Sequence, residues 1–185
     1  VSNCTSKIAV AMGRMDSQKG FDLLIDCWKL IEQKYPEWQL KIYGGGDSSI
    51  YEKQISDLQL NRVSFCGRTG DVPAALCEAS IYVLSSRYEG FSLTIVEAMK
   101  CGLPIVTFDC PSGPAELVVD GNNGYVVNKV GDISAMAECI SKLIENEQLR
   151  KVFGKNSAKL SQKYHSDYVM GKWVALFKQL TEINL

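Results

Sequence analysis

Short apolar runs alternate with segments of helical period along the chain. Residues 7–12 form a run that is apolar on both faces and stops at Gly13. Beyond it, Phe21, Leu24, Ile25, Trp28, Ile31 and Tyr35 recur at helical spacing, with Pro36 just past the end. Further strands are predicted at 39–43, 63–66, 81–85, 104–108 and 125–128. Helices are predicted between them at 48–58, 72–79, 92–100 and 115–119. Glycines punctuate the pattern: Gly44, Gly45 and Gly46 close the second strand, Gly67 the third, and Gly102 follows a helix as its stop. Three helical stretches, 133–145, 147–163 and 166–180, finish the chain.

This order is two successive βαβαβ halves. Short strands that are apolar on both faces predict a parallel sheet covered by helices on each side. Right-handed crossovers then favour a six-stranded, doubly wound, Rossmann-like α/β fold with strand order 3-2-1-4-5-6. In that order the first and fourth strands are neighbours, and a ligand crevice opens at their carboxyl ends.

Composition narrows the class. The 185 residues suffice for one sizeable core, and a hydrophobic content of 46% argues against disorder. A net charge of −1 gives no general attraction to nucleic acid or to an anionic membrane. No apolar run approaches the roughly 20 residues that span a bilayer. Residues 1–7 lack a signal-peptide layout, and with no initiating Met the sequence reads as an excised piece or a processed form of a longer protein. A cytoplasmic location is expected. The seven cysteines are scattered, form no C-x-x-C pair and read as reduced core thiols. The one histidine, His165, has neither the companions of a zinc site nor a G-x-S-x-G elbow, and reads as structural or solvated.

Two unusual clusters fall at the predicted crevice. After the first strand come Gly13, Arg14 and Lys19, a tight exit followed by two cations suited to a diphosphate. After the fourth strand come Glu89, Gly90, Phe91, Ser92, Leu93 and Glu97. There, Gly90 permits close backbone approach, and the N–H groups near Phe91, Ser92 and Leu93 sit at a helix N-terminus. Glu97, between Val96 and Ala98, is expected to be partly buried and to need partners such as a ribose diol. Taken singly, each cluster also reads as surface charge. No G-x-G-x-x-G follows the first strand, no G-K-[ST] occurs, and no D-x-D pair could carry a metal. No cofactor and no metal are therefore expected, and charge neutralisation falls to Arg14, Lys19 and the helix dipole.

The combination G-R-x4-K-G (Gly13 to Gly20), E-x7-E (Glu89 to Glu97), the glycine turn at Gly44 and the G-x-P-I-V strand at Gly102 resembles the C-terminal donor domain of GT-B glycosyltransferases, in the large retaining family 4. The resemblance covers nearly the whole chain. It implies a domain that binds a nucleotide sugar, UDP-hexose or UDP-N-acetylhexosamine, and transfers the sugar with retention to a glycan or lipid-linked acceptor. The acceptor pocket would lie in an N-terminal domain outside this chain, leaving the isolated domain without turnover. Arg14 and Lys19 would hold the diphosphate, Glu89 the transferred sugar and Glu97 the ribose. Backbone groups at Gly13, Gly44, Gly90, Phe91, Ser92 and Leu93 would serve phosphate and sugar. Arg68 would reach the base or stay a loop charge, and Gly113 and Glu116 read equally as a turn and a donor contact. Ser92 and Thr94 depart from the commoner Gly and Pro of the family pattern, which bears on the donor sugar. A non-catalytic nucleotide-binding module and a GT-B-like epimerase are the alternatives.

Two features lie outside this motif set. Lys151, Lys155, Lys159 and Lys163 recur every four residues, as a solvated stripe by preference or as a peripheral membrane contact. The last helix carries Val169, Trp173, Leu176, Phe177 and Leu180 on one face, to be covered by its own domain or left open for a partner.

Overall fold

The computed structural model describes residues 1–182. Six strands form one parallel sheet: β1 Ile8–Met12, β2 Gln39–Tyr43, β3 Val63–Phe65, β4 Ile81–Leu84, β5 Ile105–Phe108 and β6 Gly124–Val127. Their order is β3-β2-β1-β4-β5-β6, the doubly wound order expected from the pattern. Among the described residues, eight α-helices connect and flank them: α1 Phe21–Lys34, α2 Ser49–Asp57, α3 Val72–Cys77, α4 Leu93–Lys100, α5 Pro114–Leu117, α6 Ile133–Glu145, α7 Glu147–Ser161 and α8 Ser166–Glu182.

Alternation along each strand separates two cores. On β1, Ala9 and Ala11 face a layer built with Leu24, Trp28, Ile140 and Leu143. Val10 and Met12 face the other layer, with Leu76, Ile95 and Met99. Both faces of the sheet are thus dry, which is why its strands read as continuous apolar runs rather than as alternating ones. Polar caps mark several helix starts: Asp71 accepts from the Ala74 N–H, Asp132 from Ala135 and Asn146 from Leu149.

The buried Arg150 has no counterpart in the sequence reading. Its Nε donates to the Cys4 carbonyl at 3.0 Å and its Nη1 to the carbonyls of Leu143 and Ile144 at 2.7 and 2.9 Å. The last two are end-of-helix carbonyls of α6, which would otherwise lack donors. The guanidinium also lies 5.2 Å from the centre of the Trp38 ring.

Several boundaries move by one or two residues. One of these shifts, at the end of α7, changes a surface feature. The helix stops at Ser161, and a 3-10 turn over Gln162–Tyr164 follows. Lys151, Lys155 and Lys159 share the helix as exposed residues, but Lys163 sits in that turn and leaves the predicted stripe. Among the cysteines, Cys66 is exposed rather than in the core.

The final helix is the other departure. The turn Gln162–Tyr164 is its main contact, and it is not covered by its own domain. Val169, Trp173, Leu176, Phe177 and Leu180 are all exposed, so the face open to a partner is the one observed.

Candidate functional site

The exits of three neighbouring strands are laced together. The Gly13 N–H donates to the Tyr43 carbonyl at 2.9 Å, and the Gly44 N–H to the Gly67 carbonyl at 2.8 Å. The Met15 N–H donates to the Gly45 carbonyl at 2.9 Å. A Cβ at Gly44 would overlap the Gly13 carbonyl oxygen, so only glycine lets these two turns touch.

Above the turns lies a cavity of about 320 Å3, lined among others by Gly13, Arg14, Gly44, Arg68, Thr94 and Glu97. A hollow of similar size, about 350 Å3, lies beside Cys4 and Lys151. The cavity at the strand ends brings two guanidinium groups and a carboxylate together above backbone turns. Arg14 is exposed and held loosely, with Nη2 at 3.3 Å from Asp16 Oδ2. Arg14 and Glu97, 83 positions apart in sequence, open onto this one cavity.

Glu97 is exposed, which corrects the expectation of a partly buried acid. On α4 the buried residues are Ile95, Val96, Ala98 and Met99. Leu93, Glu97 and Lys100, at i, i+4 and i+7, share the one uncovered stripe. Apolar neighbours in sequence therefore say nothing about where Glu97 points. Among the described residues its carboxylate makes no side-chain hydrogen bond or ion pair.

The buried acid is Glu89. Its Oε1 accepts from Lys19 Nζ at 2.7 Å and from Ser86 Oγ at 2.6 Å. The side chains of Lys19 and Glu89 are only 14% and 6% exposed. Lys19 ends a 3-10 turn over Ser17–Lys19 that did not show in the sequence pattern. Asp16 caps this turn, and Gly20 closes it in the left-handed region (φ 62°). A Cβ on Gly20 would strike the Ser85 carbonyl oxygen, so the turn is pressed against the end of β4. The aliphatic stem of Lys19 crosses Gly13, bringing the ion pair beside the cavity.

The start of α4 completes the rim. Ser92 is the N-cap residue and is buried, without a side-chain capping bond. No hydrogen bond among the described residues occupies the N–H groups of Phe91, Ser92, Leu93 or Thr94, so donors stand free at this helix end. The Leu93 side chain is exposed, and Phe91 packs at 5.8 Å on Tyr164. Gly90 lies against Gly113 (φ 112°), whose missing side chain lets the two loops meet. Glu116 is exposed in the first turn of α5.

Arg87, just after β4, is a residue to which the motif reading assigns no task. Its Nη1 donates to the Ser17 carbonyl and to Asp22 Oδ1, both at 2.8 Å, and its Nη2 donates to Asp22 Oδ2 at 2.5 Å. The Arg87 N–H donates to the Gln18 carbonyl, and the Gln18 side chain donates to the Tyr88 carbonyl. These bonds clamp the turn that carries Lys19 to the loop that carries Glu89. The Arg87 guanidinium holds the Asp22 carboxyl below its ordinary range, through hydrogen bonding more than charge. No motif could have signalled a pair 65 positions apart.

Beneath the site, Tyr82 on β4 is fully buried, and its hydroxyl has no hydrogen-bond partner among the described residues. Such a group costs about 1–3 kcal/mol. His165 is exposed, 3.6 Å from Asp167. Among the described residues, no group of three or more His, Cys, Asp or Glu comes together to hold a metal. No helix among them is long and apolar enough to cross a membrane.

Comparison with known proteins bears on the family and the fold. Residues 1–160 match the family model described as Glycosyl transferases group 1. An uncharacterized glycosyltransferase of Haemophilus influenzae is 34% identical over 171 residues, 91% of this chain and 48% of the relative. The poly(ribitol-phosphate) alpha-N-acetylglucosaminyltransferase of Staphylococcus aureus is 34% identical over 94% of this chain and 36% of its own length. A solved structure of S. aureus TarM, a mutant in complex with Fondaparinux, alpha-GlcNAc-glycerol and UDP, superposes with a TM-score of 0.87 at 34% identity, covering 94% of this chain and 36% of that one. The chain thus spans half or less of the length of these relatives. It belongs to the group 1 glycosyl transferases and has the fold of one half of a GT-B enzyme.

Proposed function

We propose that this chain is the donor-binding domain of a retaining glycosyltransferase of family 4, and that its cavity takes a UDP-linked hexose or N-acetylhexosamine. The observation that carries the reading is the convergence of Arg14, Arg68 and Glu97 on one cavity beside the buried Lys19–Glu89 pair. UDP in the similar TarM structure supports the choice of nucleotide. Glu97 accepts from the ribose hydroxyls, and Arg68 lies toward the base. Arg14, Lys19 and the free N–H groups at the start of α4 face the diphosphate. As the bond from the anomeric carbon to the diphosphate breaks, negative charge grows on the leaving oxygen. Arg14 and Lys19 stabilise that charge without a metal. Glu89, anchored through Oε1, keeps its second oxygen for a hydroxyl of the transferred sugar.

The acceptor, a glycan or a lipid-linked glycan, approaches on the face from which the diphosphate departs. Its pocket belongs to the N-terminal domain of the longer enzyme, and the isolated chain binds donor without turning it over. Calorimetric titration with UDP, GDP, ADP and their common sugars, without added metal, tests the reading. One nucleoside diphosphate is expected to bind. Arg14→Ala or Glu97→Ala is expected to weaken it by about 1–3 kcal/mol, the range for a lost charged hydrogen bond. Equal affinity in the wild type and both variants would sink the assignment.

A further inference from the structure

The buried Tyr82 hydroxyl calls for an explanation. Tyr82 lies on β4 between Ile81 and Val83 and is wholly enclosed, with its ring in the core layer that supports α4. A phenylalanine would fill the same space without stranding a polar atom. The Thr94 side chain and the Met12 backbone lie close enough to act on the hydroxyl, as do the charges of Glu89 and Glu97, but neither meets it with hydrogen-bond geometry. Burial raises the phenol above its ordinary range, so the hydroxyl keeps its proton and is available as a donor. Met12, Thr94 and Glu97 all line the cavity at the strand ends. Among the described residues the other orphaned side-chain polar atom, Trp28 Nε1, belongs to the opposite layer.

We propose that Tyr82 is a positioning residue for the nucleotide: its buried hydroxyl donates to Thr94 Oγ1 and thereby turns the Thr94 proton toward a phosphate or ribose oxygen in the cavity. The inference rests on the reading that the cavity takes a nucleoside diphosphate. A threonine hydroxyl has one donor and two acceptor sites, so Thr94 can accept from Tyr82 while donating to the ligand. Thr94 Oγ1 sits 3.3 Å from Ser92 Oγ, a long contact that is readily exchanged. A nucleotide oxygen in the cavity would complete the chain that runs from Tyr82 through Thr94. Conformational strain or an unmet polar group tends to persist where a site uses it.

The test removes one oxygen at a time. UDP, GDP and ADP are titrated into the wild type, and the tightest is then used with Tyr82→Phe, Thr94→Val, Thr94→Ser and the Tyr82→Phe/Thr94→Val double variant. Thermal unfolding is followed in parallel. Tyr82→Phe is expected to weaken binding about three- to tenfold while its Tm stays level or rises, because the orphaned hydroxyl is gone. Thr94→Val should lose a similar factor, Thr94→Ser should retain affinity, and the double variant should be no weaker than the weaker single one. A merely structural tyrosine would raise the Tm and leave affinity unchanged, and that result overturns the inference alone. Unchanged affinity in Thr94→Val overturns it as well. Failure of the wild type to bind any of the three nucleotides overturns both this inference and the reading beneath it.

Discussion

Removing the Arg87 guanidinium should loosen the candidate site by loosening the joint between its two loops. Arg87→Gln abolishes a two-pronged charged pair with Asp22 and the bond to the Ser17 carbonyl. The two charged side chains are 35% and 38% exposed, so water and salt screen the pair. A screened pair contributes up to about 1 kcal/mol even with good geometry. The bond to Ser17 adds roughly 0.5–1 kcal/mol, since water can replace it in part. The loss should therefore be about 1–2 kcal/mol, a fall in Tm of roughly 3–6 °C for a chain of this size. The pH dependence follows from the depressed Asp22 carboxyl. A lowered folded value stabilises the protein above the unfolded value, near 3.9, and this contribution is lost as pH falls through the folded value. Urea unfolding of the wild type and Arg87→Gln at pH 7, 5 and 3, followed by circular dichroism, measures it. The gap between the two should hold from pH 7 to 5 and narrow toward pH 3. A gap as wide at pH 3 as at pH 7, or no gap at any pH, refutes the clamp.

Two further results are expected. Gly44→Ala, whose Cβ would overlap the Gly13 carbonyl, should cost about 2–3 kcal/mol in urea unfolding and widen the cavity mouth; a neutral substitution would show that the two turns yield freely. Ending the chain after Tyr164 removes α8, which contacts mainly the preceding turn, and should change unfolding stability by less than about 1 kcal/mol. The same truncation should reduce any self-association seen by sedimentation, and a large loss of stability would mean that α8 supports the core.

Much of the fold was legible because a two-sided parallel sheet writes itself as short apolar runs, and its helices write themselves at a 3.6-residue period. The strand order followed from crossover handedness and needed no coordinates. The motif residues at the ends of β1 and β4 were legible for the same reason: topology alone puts those ends together. Arg14 and Glu97 could thus be assigned to one crevice from sequence. Boundaries at the ends of β3, α3 and α7 moved, since terminal residues are decided by local hydrogen bonds that the pattern does not carry.

Tertiary structure decided which acid is buried. Glu89 is enclosed because Lys19 and Ser86 donate to it, and Glu97 is open because α4 turns its apolar side to the sheet. Only coordinates could reveal the Arg87–Asp22 clamp, the Arg150 closure of α6 and the orphaned Tyr82 hydroxyl. Periodicity reports which way a side chain faces within one element. Pairing between polar groups far apart in the chain depends on distances of a few ångström, which no local pattern encodes.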